Sequence, residues 1–110
     1  MTEERRAELL ILQPQDARLD ASKAPALREA LTKRIDAGEQ TVILDLSKVN
    51  FMDSSALSAL IAAVKKMGPL GTIAVAEMRP PVEKLLKITR MDRVFPLHAT
   101  VDDAVAKLSA

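Results

Sequence analysis

The feature that most constrains the fold is the segment Thr41–Leu46 (TVILDL), in which β-branched and apolar residues surround a single charge. An apolar run without strict alternation is typical of a strand that is covered on both faces, as in parallel sheets. Such a strand needs packed structure on either side of it. We therefore expect Thr41–Leu46 to be central in a sheet with helices packed on it.

Segments of helical and of strand character alternate along the rest of the chain. Further strands are predicted at Glu8–Leu12, Thr72–Ala76 and Val94–Leu97, and helices from Ser22 to Gly38, from Ser54 to Met67, after Pro80-Pro81 and from Thr100 onward. Ser22 and a Thr100/Asp103 capping box are the expected helix starts, and Gly38 and Gly68 the expected ends. Alternation with short connections predicts an α/β fold built by crossover connections.

Composition narrows the classes of function. A chain of 110 residues suits one domain, here residues 1–110. The absence of cysteine and the presence of one histidine argue against a metal site, so we expect no metal and no cofactor. A net charge of +1 with mixed signs and only two aromatic residues argue against a nucleic-acid partner. Because no apolar run spans a bilayer and no signal peptide is evident, we expect no membrane insertion and a cytoplasmic location.

The turn after the central strand carries the strongest functional pattern. Asp53, Ser54 and Ser55 fall at the predicted start of the second helix, where backbone amides lack partners. One interpretation is that the triplet only caps this helix. The other interpretation is that the turn also binds a partner. One cap is needed and three candidates are present, which leaves a hydroxyl for that partner.

Phosphorylation at this turn would act as a switch. A phosphoserine adds a charge of about −1.5 to −2 beside Asp53, and we expect the helix amides to hold part of that charge. A partner that docks on the neutral serine would instead meet an unpaired dianion. The modification would then end binding without unfolding the domain.

The segment Asp45–Leu57 (DLSKVNFMDSSAL) resembles the hallmark of the STAS domains, and in particular of the bacterial anti-sigma factor antagonists, also called anti-anti-sigma factors. Ala17-Arg-Leu-Asp20 is similar to a Gly-x-Leu-Asp loop of the family, and Pro81–Leu86 (PVEKLL) resembles its third helix. The resemblance covers nearly the whole chain. It implies the STAS fold, a mixed sheet of about four to five strands with about four helices.

The resemblance also implies a function. Members of this kind bind an anti-sigma factor that is a serine kinase, and phosphorylation of the serine after the hallmark aspartate ends the binding. That serine maps onto Ser54, with Ser55 as the second choice. A PP2C-type phosphatase is the implied partner that acts on the phosphorylated form. We expect the chain to be a monomer, although its sequence leaves the oligomeric state open. The implied partner-binding residues are Asp20, Met52, Asp53, Ser54, Ser55, Ala56 and Leu57.

The sequence departs from the family pattern at several positions. Alanine stands where the family has glycine at Ala17 and Ala56, and Arg90 stands where a glycine often ends the third helix. The usual first strand of the family falls on Met1–Arg6, which is charged. Two alternatives therefore remain for this segment: it forms a strand, or it is frayed.

Two alternatives remain beside the antagonist. An enzyme is disfavoured because His98, expected in a loop or at the surface, has no evident partners for catalysis and no nucleophile elbow surrounds Ser54. A STAS accessory or scaffold subunit, of an ABC transporter or of a signalling assembly without a phosphate cycle, would use the same fold.

Of the five methionines only Met52, in the hallmark, is considered as an exposed contact.

Overall fold

The computed structural model describes residues 1–109. These residues form seven strands and four α-helices. The strands are β1 (Thr2–Arg6), β2 (Leu9–Gln13), β3 (Arg18–Leu19), β4 (Thr41–Asp45), β5 (Phe51–Met52), β6 (Thr72–Ala76) and β7 (Leu97–His98). The helices are α1 (Ala24–Asp36), α2 (Ser54–Met67), α3 (Pro80–Ile88) and α4 (Val101–Leu108). The predicted alternation of strands and helices is confirmed.

Five of the strands form one mixed sheet in the order β1-β2-β4-β6-β7. Strand β1 runs antiparallel to β2, and the other neighbours are parallel. The predicted strand in Thr41–Leu46 forms β4 and occupies the centre, as expected. The remaining strands, β3 and β5, form a separate parallel pair.

Successive residues of β4 serve two different cores. Leu44 faces α1, α2 and α3 and belongs to the larger cluster, whereas Ile43 faces α4 and belongs to the smaller one. Both side chains are fully buried. Because neighbouring strand residues point to opposite faces, a continuous apolar run is what a sheet covered on both sides requires.

Helix α2 has the predicted bounds, but α1 begins differently from the prediction. The backbone amides of Lys23 and Ala24 donate to the carbonyl of Asp20, both at 2.9 Å, and no side chain caps α1. The prediction that Ser22 is the N-cap is therefore wrong. The Ser22 hydroxyl donates to Asp20 Oδ1 instead, at 2.6 Å.

The predicted strand Val94–Leu97 is displaced towards the C-terminus. A short 3-10 helix at Met91–Arg93 follows α3, and β7 contains only Leu97 and His98. The turn is set by Arg90, whose backbone is left-handed with φ 61° and ψ 24°. The family glycine that Arg90 replaces thus falls at a position where glycine has the lower conformational cost.

Helix α4 begins with two side-chain contacts. Thr100 Oγ1 accepts the Asp103 amide at 3.0 Å, as one half of the predicted capping box requires. The Val101 amide donates to Glu77 Oε2 at 2.7 Å, from the loop after β6. A side chain that follows β6 therefore helps to fix the start of α4.

Strand β1 is formed, although every one of its five residues is exposed. Ion pairs hold it from both faces of the sheet. Glu3 accepts from Arg34 of α1 at 2.9 Å and Arg5 pairs with Glu39, whereas Arg6 donates to Asp102 of α4 at 2.6 Å. The outcome for Met1–Arg6 is thus a formed strand from Thr2 that is held by charge rather than by apolar burial.

Candidate functional site

The two short strands bring two parts of the chain together. The Ala17 carbonyl accepts the amides of Asn50 and Phe51, at 2.7 and 3.2 Å, and the Asp53 amide donates to the Leu19 carbonyl at 3.2 Å. Leu19 is in register with Met52. The residues that follow this pair, Asp20 and Asp53, therefore both leave the end of the β3–β5 pair, beside the start of α2.

Asp53 caps helix α2. Its backbone is extended, and its Oδ1 accepts the amides of Ser55 at 2.9 Å and Ala56 at 3.2 Å. A carboxylate at this position satisfies free amides and lies favourably in the field of the helix. Two of the amides that we expected to hold part of a phosphate on Ser54 are thus bound to Asp53.

The two serines differ in exposure. Ser54, the first residue of α2, is exposed, and Ser55 is half-buried. Because the Asp53 carboxylate supplies the side-chain cap, neither serine hydroxyl is needed to begin the helix. The Ser54 hydroxyl is therefore presented to solvent at the amide-rich end of α2.

Asp20 is held in place by its own loop. The Ser22 hydroxyl and amide both donate to Asp20 Oδ1, and Arg18 Nε lies 3.8 Å from Oδ2. The hydrogen bond from the Ser22 hydroxyl, with smaller effects of the Ser22 amide and the Arg18 charge, holds the pKa of the Asp20 carboxyl below its ordinary value. Asp20 therefore keeps its negative charge at neutral pH.

Sequence reasoning did not identify an exposed aromatic contact at this site. Phe51 is 38% exposed, and the Arg18 guanidinium carbon lies 4.0 Å from the centroid of its ring. This distance is well within the range of a cation–π contact. The next residue, Met52, is 5% exposed and belongs to the core, so the expectation that Met52 is exposed is wrong.

Three of the seven residues assigned to partner binding face the interior. Met52, Ala56 and Leu57 are buried in the larger core cluster. Their side chains anchor the first turn of α2 and do not offer a contact surface. The other four, Asp20, Asp53, Ser54 and Ser55, lie at or near the surface around this turn.

Other candidate sites gain no support within residues 1–109. His98 lies in β7 rather than in a loop, is half-buried, and its Nε2 has no hydrogen-bond partner there. That part of the chain places no three His, Asp or Glu side chains where they could hold a metal ion. None of its helices has both the length and the apolar character needed to cross a bilayer.

The profile of the STAS domain family matches residues 2–104. The chain belongs to the STAS domain family. The anti-sigma-F factor antagonist RsfB of Mycobacterium tuberculosis is 28% identical over 87 residues, which are 79% of this chain and 71% of RsfB. The recognition of the family from the hallmark segment is thus confirmed.

Solved structures of STAS proteins share the fold. The crystal structure of an anti-sigma factor antagonist from Mycobacterium paratuberculosis superposes with a TM-score of 0.90 at 27% identity, over 99% of this chain and 92% of that one. The Bacillus cell fate determinant SpoIIAA in its phosphorylated form gives a TM-score of 0.71 at 18% identity, over 97% of each chain. The predicted fold class is confirmed.

Proposed function

We propose that this STAS domain is an anti-sigma factor antagonist that binds an anti-sigma factor with serine kinase activity and is switched off by phosphorylation of Ser54. The names of its relatives support the general role. The observation that carries the finer proposal is the exposure of Ser54 beside a helix that Asp53 already caps. The residue is available to a kinase, and its modification costs the fold little.

The charges around Ser54 explain why phosphorylation would end binding. The site already holds the carboxylates of Asp20 and Asp53, and the amides of Ser55 and Ala56 are occupied. A phosphate of about −1.5 to −2 would lie beside these carboxylates, with two amides of the first turn already bound to Asp53, and would face the partner. Repulsion and desolvation would then weaken the complex by a few kcal/mol, on the order of the cost of an unpaired interfacial charge.

The contact surface in this proposal comprises Asp20, Asp53, Ser54 and Ser55, with Phe51 as a further contact. Exposed aromatic residues and arginines are frequent anchors at interfaces. The chain itself would act without catalysis and as a monomer in the cytoplasm, with the kinase supplying ATP and a PP2C-type phosphatase restoring the serine.

The experiment uses the anti-sigma factor kinases of the organism that encodes this chain, purified one at a time. We expect one of these kinases to bind the wild type. When ATP is added, the kinase should place a single phosphate on Ser54, and the complex should then dissociate. Ser54→Asp should weaken binding by at least about tenfold, or roughly 1.4 kcal/mol. Ser54→Ala should bind and resist release by ATP.

The matched control is Ala106→Asp, which adds the same charge at an exposed position of α4 on the opposite face of the sheet. It should bind like the wild type. Equal binding by the wild type and Ser54→Asp, or a phosphate that maps elsewhere, would contradict the proposal. A chain that no kinase binds or modifies would favour the accessory-subunit alternative.

A further inference from the structure

Two glutamines at and beyond the end of β2 connect residues of the hallmark segment from outside it. Gln13 Nε2 donates to Asp45 Oδ2 at 3.2 Å and to Ser47 Oγ at 3.0 Å. Gln15 Nε2 donates to Gln13 Oε1 at 3.0 Å, and Lys48 Nζ donates to Gln15 Oε1 at 3.0 Å. We call Gln13 and Gln15 the glutamine bridge, because they carry a continuous series of hydrogen bonds from Lys48 to Asp45.

The direction of these hydrogen bonds is fixed at both ends of the glutamine bridge. A lysine ammonium can only donate, and an ionised carboxylate can only accept. The Gln15 amide oxygen must therefore face Lys48, and the Gln13 amide nitrogen must face Asp45. Neither amide can be turned over without placing two donors or two acceptors against each other.

The bridge holds the beginning of the hallmark segment. Gln13 and Asp45 are the last residues of the adjacent parallel strands β2 and β4. Asp45 Oδ1 also accepts the Ser47 amide at 2.9 Å, so this carboxylate closes the turn that follows β4. The hydrogen bonds of Gln13 to Asp45 and Ser47 are partly buried, so the loss of one partner leaves a polar group without compensation.

The end of the hallmark turn is held by residues 14–20, the segment that contains Gln15 and β3. Backbone carbonyls of this segment accept the amides of Phe51 and Asp53. Asp53 directly precedes Ser54 and caps α2. The glutamine bridge therefore joins, at the sheet, the same two segments that meet again beside Ser54.

We propose that Gln13 is a positioning residue for the phosphorylation of Ser54. It fixes the turn after β4 to the end of β2, so that the two segments leave the sheet at a constant spacing and present the Ser54 hydroxyl in one orientation. Gln13 is not part of the proposed contact surface and acts through Asp45 and Ser47. This inference rests on the proposed function, because it assigns a role in that same phosphorylation.

The kinetic test exchanges donor and acceptor between Gln13 and Asp45. Gln13→Glu places a second carboxylate against Asp45, and kcat for phosphorylation of Ser54 should fall about tenfold, because a misplacement of about 1 Å is enough to slow a reaction. KM should change by less than about threefold, since the proposed contact residues are unchanged. The double variant Gln13→Glu with Asp45→Asn keeps the net charge, restores a donor opposite an acceptor, and should recover kcat to within about twofold.

Hydrogen exchange tests the same role without a kinase. The amides of Phe51 and Asp53 should exchange several-fold faster in Gln13→Glu than in the wild type, because the segments that they join are no longer fixed at the sheet. The double variant should restore the wild-type rates. Amides of α4 should exchange at the same rate in all three proteins.

Val105→Ala is the control for a loss of stability alone. Val105 is half-buried and packs against the smaller core cluster, on the opposite face of the sheet from α2. This variant should lower Tm and leave kcat unchanged.

The two proposals fail in different ways. If the kinase phosphorylates Gln13→Glu like the wild type, if the double variant fails to recover kcat, or if Val105→Ala slows phosphorylation as much as Gln13→Glu, Gln13 has no positioning role and the proposed function stands. Unchanged exchange at Phe51 and Asp53 in Gln13→Glu would also overturn the role of Gln13. If no anti-sigma factor kinase phosphorylates the wild type, both proposals are overturned.

Discussion

At the scale of single residues, the backbone at Arg90 shows what a departure from the family pattern costs. A left-handed conformation costs a non-glycine residue about 1–2 kcal/mol. Glycine avoids this cost, but it loses more conformational entropy on folding, which offsets part of the stabilisation. The Arg90 side chain is exposed and forms no ion pair within residues 1–109. The strain at this position is therefore not offset by a contact of the charged group.

We expect Arg90→Gly to stabilise the protein by about 0.5–1 kcal/mol and to raise Tm by a few degrees. Thermal unfolding followed by circular dichroism would measure the change. Lys84→Gly is the control, because Lys84 is exposed in the interior of α3, where glycine costs about 1 kcal/mol. A lower Tm for both variants would show that the left-handed turn is not strained.

At residue scale, the main error concerns exposure: Met52 is predicted as an exposed contact, but Phe51 is exposed and Met52 is buried. Both residues stand in the hallmark, and alternation along a strand requires that one points out and the other in. The two-residue strand β5 gives too short a pattern to show which. Its pairing with β3, which no local signal in the sequence indicates, sets the orientation.

At the scale of elements, strand β1 depends on its ion pairs. Three pairs link it to α1, to Glu39 and to α4. An exposed pair contributes about 0.2–1 kcal/mol and is screened by salt. Because no side chain of β1 is buried, these pairs and the ladder with β2 are what keep the strand docked.

We therefore expect the amides of β1 that pair with β2 to exchange hydrogen several-fold faster at about 1 M NaCl than at about 0.05 M, since salt screens the pairs. Amides of β4 should be unaffected. A double variant, Glu3→Gln with Asp102→Asn, should show the faster exchange already at low salt. Unchanged protection in that variant would mean that the ion pairs of Glu3 and Asp102 do not hold the strand.

Sequence patterns predicted the long elements well and the short ones poorly. Helix α2 and strand β6 have the predicted bounds because each carries a full apolar period between clear ends. The pair β3–β5 was missed because two residues define no period. The sequence predicts Ser22 as a cap because its hydroxyl suits one, but Asp20 accepts a hydrogen bond from that hydroxyl and supplies its own carbonyl to α1.

At the scale of the whole molecule, the strands β2, β4 and β6 each contribute side chains to two cores, and β4 shows how. Ile43 lies in the cluster beneath α4, and Leu44 in the cluster beneath α1, α2 and α3. Neither cluster can loosen without disturbing the strands that it shares with the other. The two layers of helix should therefore unfold together.

We expect Ile43→Ala and Leu44→Ala each to lower the free energy of unfolding by about 2–5 kcal/mol, a large part of the usual 5–15 kcal/mol. Urea unfolding should stay a single transition in both variants, by circular dichroism and by methyl NMR signals from the two faces. Ile88→Ala is the control, since Ile88 is 67% exposed and should change stability by less than about 0.5 kcal/mol. Separate transitions for the two faces would contradict this coupling.

The alternation along β4 also limits where the chain can change in length. One residue inserted within the strand would send every following side chain to the wrong layer, so gains and losses of residues are tolerated only between strands. The turn that bears Ser54 is one of those connections. The surface proposed to recognise a partner therefore lies where a residue can be gained or lost without sending the side chains of a strand to the wrong layer.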